Sequence, residues 1–141
     1  MNDLNLKVER TIKAAQEDVF NAWLNPEMLR QFMIPGAGMS VPKASNDPQE
    51  GGRFEIVMLA GENEIPHAGT YREISPHDRI VFTWESPFSV EDSTVTLTFS
   101  PADEGTHVTL THVRFGDAET RDNHKGGWVS ILAALDSTLT Q

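Results

Sequence analysis

Leu4, Leu6 and Val8 alternate with Asn5, Lys7 and Glu9, and Ile12 keeps the same parity. This period of two is the mark of a strand with one buried face. Arg10 falls on the apolar parity. Val19, Phe20, Trp23 and Leu24 then group on one side of a short helix that ends at Asn25-Pro26. The same dipeptide starts a second helix, since Asn is a favoured N-cap and Pro is tolerated at the first helical position. Leu29, Phe32 and Met33 supply its buried side. Pro35 to Gly52 is rich in Pro, Gly, Asn, Asp and Ser around one short strand, Met39 to Val41, and reads mainly as surface loop.

A run of strands follows. Arg53 to Leu59 carries Phe54, Ile56 and Met58 on one parity, while Val57 and Leu59 on the other leave its facing open. Gly61-Glu62-Asn63-Glu64 predicts a hairpin connection, Gly69 to Ile74 a further strand, and Ser75-Pro76-His77-Asp78 a turn into Arg79 to Glu85. Ile80, Phe82 and Trp84 share a face there. The alternation is cleanest in the next pair, where Val95, Leu97 and Phe99 oppose Thr94, Thr96 and Thr98, and Val108 and Leu110 oppose His107, Thr109 and Thr111. Beyond Leu110 the inward parity continues as His112 and Arg114.

The chain closes with a long helix from Asp117, an N-cap type, to Leu139. Trp128, Ile131, Leu132, Leu135 and Leu139 form its apolar stripe. Gly126-Gly127 interrupts it, and each glycine costs a helix about 1 kcal/mol relative to alanine. Two readings stand: a kink or tight contact, or an opening beside Trp128 through which a small molecule reaches the interior. The order of elements predicts an α+β fold, with a curved antiparallel sheet wrapped around the C-terminal helix and two short helices after the first strand.

Composition narrows the function classes. At 141 residues the chain has the length of a single domain, residues 1–141, and no linker or repeat divides it. No apolar run reaches the length of a membrane span, and the N-terminus lacks the pattern of a signal peptide, so a soluble cytoplasmic protein is expected. A net charge of −10 argues against nucleic-acid and anionic-membrane partners. Without cysteine there is no thiol chemistry. Nucleophile elbows, phosphate loops, dinucleotide fingerprints and zinc motifs are missing, so no cofactor, metal or catalytic residue is assigned. His67, His77, His107, His112 and His124 show no ligand spacing and read as surface or hydrogen-bonded histidines.

Several segments, taken in order, resemble a known family: Val19-Phe20-Asn21-Ala22-Trp23-Leu24-Asn25-Pro26, Gly51-Gly52-Arg53-Phe54, Gly69-Thr70-Tyr71-Arg72-Glu73-Ile74, Ile80-Val81-Phe82-Thr83-Trp84, Gly105-Thr106-His107-Val108-Thr109-Leu110 and Gly127-Trp128. The chain is similar to the activator of heat-shock protein 90 ATPase homologue family within the START-like (SRPBCC) superfamily. That resemblance implies a helix-grip fold with a cavity between sheet and C-terminal helix. Phe32-Met33 departs from relatives that commonly carry two tryptophans there, which implies a different ligand preference if that position lines the cavity. Superfamily members bind lipids, sterols or polyketide-like molecules, and some are cyclases or hydrolases. The proteins that name the family stimulate heat-shock protein 90 with an additional N-terminal domain that this sequence lacks, which lowers the weight of a co-chaperone role.

The expected function is therefore binding of a small hydrophobic molecule, as carrier or sensor. Phe54, Ile56, Met58, Phe82, Trp84, Trp128 and Leu132 are the expected walls, and His112 and Arg114 the polar end. Tyr71 is a further candidate hydroxyl. The competing readings are a cyclase- or hydrolase-type enzyme using His112 as general acid or base, and a protein-interaction module in contact with a chaperone. The bland account of Arg10, His112 and Arg114 is that they reach solvent at strand ends, or pair with Glu55 or Glu73.

Overall fold

A computed structural model describes residues 4–36, 38–87 and 89–140. Strand β1 (Asn5–Ile12) leads into α1 (Gln16–Ala22) and α2 (Pro26–Phe32). Strands β2 (Met39–Asn46), β3 (Arg53–Ala60), β4 (Asn63–Ser75), β5 (Arg79–Thr83), β6 (Thr94–Ala102) and β7 (Gly105–Val113) follow, and α3 (Ala118–Leu139) closes the chain. The sheet order is β1-β7-β6-β5-β4-β3-β2, with every pairing antiparallel. This is the helix-grip arrangement that the alternating pattern predicts.

The helix starts are built as their residues require. Asn25 Oδ1 accepts from the Glu27 and Met28 amides at 2.9 and 3.2 Å, with Pro26 in the first turn. Asp117 Oδ1 accepts from the Thr120 amide at 2.7 Å, and Glu119 lies in the first turn, where the helix dipole favours a carboxylate. In the sheet, Leu6, Val8, Phe54, Ile56, Met58, Ile80, Phe82, Val95, Leu97, Val108 and Leu110 are buried, and α3 sets Trp128, Ile131, Leu132 and Leu135 against that face. The facing of β3 is thereby settled, with Val57 and Leu59 half-buried.

Two strands run longer than the sequence pattern predicts. β2 continues past Val41 to Asn46 through a register shift between Ser40 and Lys43, the interval that holds Pro42. An edge strand tolerates a proline at such an irregularity because one side of its backbone needs no partner. β4 begins at Asn63, six residues before Gly69, and pairs with β3 from the hairpin onward. Pro66 masks this extension in the sequence; it sits where β4 is flanked by β3 alone, since the β5 ladder starts only at Tyr71 opposite Phe82. A second register shift, between Tyr71 and Glu73, bends β4 and helps curl the sheet around α3. Gly69 lies two residues before the shift, where a Cβ would stand 2.0 Å from the Thr83 carbonyl oxygen and 2.6 Å from the Phe54 ring, so no side chain fits. β5 ends at Thr83 rather than Glu85, and Glu85 makes only an isolated bridge to Ala68.

Arg10 points toward α3. Its guanidinium binds Asp136 Oδ2 through Nε and Nη2 at 3.1 and 3.0 Å, tying β1 to the last turns of the helix. The partner is thus on the covering helix, neither Glu55 nor Glu73. Arg114 departs from the inward parity: β7 stops at Val113, and Arg114 turns into the left-handed region at φ 73° and is exposed.

Candidate functional site

Between α3 and the β3–β5 half of the sheet lies a cavity of about 150 Å³, lined by Met58 of β3, His67 of β4, Trp84 after β5, Pro35 after α2, and Asn123, His124, Gly127, Trp128 and Ile131 of α3. Each wall follows from the local sequence. Met58 and His67 belong to the inward parity of their strands. Trp128 and Ile131 lie three residues apart on the apolar stripe of α3. Gly127 supplies no side chain, and a Cβ built there would approach Pro35 Cβ to 3.1 Å. Gly127 therefore meets the loop after α2 at the cavity rim. Gly126, with nothing within 4 Å of a built Cβ, faces open space.

The walls are aromatic. The Trp84 and Trp128 rings stand 5.0 Å apart at 59°, and the His67 imidazole lies 4.9 Å from Trp84 at 40°. Both Trp84 Nε1 and His67 Nδ1 are buried without a hydrogen-bond partner of good geometry. Such an unmet polar group costs about 1–3 kcal/mol. Burial pushes His67 down to about 4, only partly offset by main-chain groups of Ile65 and Ile56, so the ring is neutral at physiological pH. His124, half-buried, directs Nδ1 to the Thr120 carbonyl at 2.9 Å.

His112 stands behind this wall. The indole N–H of Trp128 donates to its Nδ1 at 3.0 Å, and its Nε2 lies 2.7 Å from Ser93 Oγ. An indole nitrogen only donates, so Nδ1 must carry the lone pair and Nε2–H donates to the serine. Burial, with a smaller contribution from nearby His124, lowers the imidazole to about 3. Both ring nitrogens are thus engaged, neither by a carboxylate, in a fully buried neutral ring. This arrangement fixes the orientation of Trp128 and leaves no free nitrogen for proton transfer.

The remaining residues singled out from the sequence fall into three places. Phe54, Ile56 and Phe82 line a separate crevice of about 10 Å³ with Trp23, Leu29, Met33 and Tyr71. The Tyr71 hydroxyl accepts from Asn46 Nδ2 at 3.1 Å. Leu132 is fully buried in the core. Arg114 lies outside the wall. The Phe32-Met33 departure bears on the small crevice, since Met33 lines it while Phe32 packs edge-on to Trp23 at 4.9 Å. Pro35, His67, Asn123, His124 and Ile131 are wall residues not assigned to the site from the sequence; for His67, carrying the parity of Tyr71 and Gly69 back through Pro66 would have pointed it inward.

Among the described residues no cluster of three metal-ligating side chains occurs, and no helix is long and apolar enough to cross a membrane.

A family model described as Activator of Hsp90 ATPase homolog 1-like protein matches residues 13–140. Similar solved structures include a Chromobacterium violaceum protein, 24% identical over 97% of both chains with a TM-score of 0.86. The AHSA1 protein of Silicibacter pomeroyi is 29% identical, with 96% of this chain and 97% of that chain covered and a TM-score of 0.79. An AHSA1-like protein from Aeromonas hydrophila is 19% identical over 95% and 93% of the two chains, with a TM-score of 0.80. No curated protein matches.

Proposed function

The chain belongs to the Activator of Hsp90 ATPase homolog 1-like family, and from that premise we propose that it binds a small hydrophobic molecule, as carrier or sensor, in the cavity between α3 and the sheet. The observation that carries this reading is an apolar, tryptophan-walled cavity of about 150 Å³, edged by Asn123 and His124. Apolar walls with a few polar groups are how small-molecule sites are built. Met58, Trp84, Trp128 and Ile131 make the contact surface, and His112 acts at one remove by holding Trp128. Leu132, Phe54, Ile56 and Phe82 support the wall from the core.

The test is a thermal-shift screen of small apolar metabolites and lipids, repeated on an Ile131→Trp variant that fills the cavity. A saturable rise in melting temperature that disappears in the filled variant supports the reading. No shift with any compound overturns it. The family description favours a second reading, an interaction with heat-shock protein 90. Adding the protein to purified chaperone and measuring ATP turnover tests it; an unchanged rate removes it. The enzyme reading has lost its acid–base candidate, because His112 is closed off by Ser93 and Trp128.

A further inference from the structure

The cavity has a direction. We infer that its ligand is a small amphiphile that enters apolar end first and leaves an uncharged, hydrogen-bond-donating head, a hydroxyl or a primary amide, at the rim beside Asn123 and His124. This rests on the reading of the cavity as a binding site.

Burial sets the orientation. Met58, Trp84, Trp128 and Ile131 are only 2–3% exposed and make the floor. Asn123 is exposed, and His124, Gly127 and Pro35 are half-buried, so the opening lies on their side. The apolar side chains are therefore deep, and the two polar side chains that meet water stand at the rim. A body of about six carbons suits the space of about 150 Å³, since engineered apolar cavities of about that size take up benzene.

The chemistry of the rim follows from one hydrogen bond. His124 directs Nδ1 to the Thr120 carbonyl at 2.9 Å, one turn back along α3. A carbonyl only accepts, so Nδ1 carries the proton and the neutral ring presents a lone pair at Nε2. Among the described residues Nε2 has no partner within the protein, and unlike the nitrogens of Trp84 and His67 it is not shut away from solvent. The ring is held in place, with its centroid 5.1 Å from that of Phe115 and 5.5 Å from that of His112. A fixed acceptor selects a donor. A hydroxyl or an amide N–H satisfies it, whereas an ether or ketone brings a second acceptor. Asn123, also on the rim, supplies a donor for the oxygen of the same head. Among the described residues no lysine, arginine, aspartate or glutamate lines the cavity. A carboxylate head would thus face the lone pair without a fixed cation, and an ammonium head would lack a carboxylate.

The experiment titrates the full chain with hexanol, its isomer methyl pentyl ether, hexanoate and hexylammonium at about pH 8, where histidine side chains are uncharged. Indole signals of ¹⁵N-labelled tryptophan report the body of the ligand, and ring nitrogens of ¹⁵N-labelled histidine report its head. Hexanol is expected to shift Trp84 and Trp128 and to move His124 Nε2, with an affinity about tenfold above that of the ether and above those of both ions. The ether should shift the same tryptophans and leave Nε2 unmoved. His124→Phe keeps a ring against Phe115 and removes the lone pair, so the ether should bind as before while hexanol falls to meet it. An ether or either ion that matches hexanol, an unmoved Nε2, or an alcohol-to-ether ratio preserved in His124→Phe would overturn the head assignment while the tryptophan shifts keep the cavity as a binding site. Absence of any saturable tryptophan shift with all four compounds would overturn the cavity reading itself.

Discussion

The glycine pair in α3 offers a test in which two adjacent substitutions should behave differently. Replacing an interior helical glycine by alanine removes backbone freedom from the unfolded chain and is worth about 1 kcal/mol in favour of the helix. At Gly126 nothing lies within 4 Å of the new Cβ, so Gly126→Ala should gain the full amount, raising the melting temperature by about 4 °C for a chain of this length. At Gly127 the new Cβ stands 3.1 Å from Pro35 Cβ. The loop after α2 must then yield by a few tenths of an ångström, and overpacking offsets the propensity gain. Gly127→Ala should therefore end within about 0.5 kcal/mol of the parent. Pro35 and Gly127 both line the cavity, so this variant should also weaken binding of any compound that the thermal-shift screen finds, while Gly126→Ala should not. The assay is urea unfolding of both variants beside the parent, with the thermal-shift screen repeated on each. Equal stabilisation by the two alanines would refute the contact with Pro35, and destabilisation by Gly126→Ala would refute an uninterrupted helix.

Trp128→Ala should cost about 3–5 kcal/mol by truncating a buried ring that also donates to His112; a loss within experimental error would contradict its place under the sheet. Ser93→Ala leaves the buried His112 N–H without an acceptor and should cost about 1–3 kcal/mol in denaturant unfolding. His67 and His112, held down to about 4 and about 3, are neutral in the folded chain but titrate near 6.5 when unfolded, so stability is complete above pH 6.5 and falls as pH drops toward 4. At pH 5 the loss should be on the order of 2 kcal/mol for each histidine, with about two protons taken up on unfolding; a flat profile between pH 7.5 and 5 would contradict their burial. Arg10→Ala breaks a partly exposed pair with Asp136 and should change stability by about 1 kcal/mol or less, again read by urea unfolding.

The fold was legible because its signals are local. Alternation in β6 and β7, the Asn25-Pro26 junction and the stripe of α3 each depend on a few consecutive residues, and the structure keeps all three. The cavity was legible only in part. Met58, Trp84 and Trp128 carry the right parity, but parity does not say how far along a curled sheet the covering helix reaches. Phe54, Ile56 and Phe82 share the inward face of Met58 and Trp84, yet they lie against Trp23, which caps the end of α1, and Leu29 of α2. Arg114 was misplaced because a strand's end is set by backbone turning, here a left-handed residue, which side-chain alternation does not announce. His67 was hidden by Pro66, a residue ordinarily taken as the edge of a strand. His112 was placed inward correctly, but its serine and tryptophan partners come from positions 19 residues before and 16 after it.

Several departures from what folding alone favours meet at one place. An interior helical glycine packs on Pro35, an imidazole replaces an apolar side chain on a buried strand face, and an indole N–H goes without an acceptor, all on residues that share one cavity. Trp23 Nε1, also without a partner, is the exception, and lies in the small crevice next door. A phenylalanine at position 67 would be the unremarkable choice for stability by the ordinary rules of burial. Local costs that gather rather than scatter mark the places where a chain is shaped by something besides its own folding. Filling and sealing substitutions at this cavity should therefore be tolerated by the fold and felt by the ligand. Where the same changes raise stability, the two effects separate cleanly.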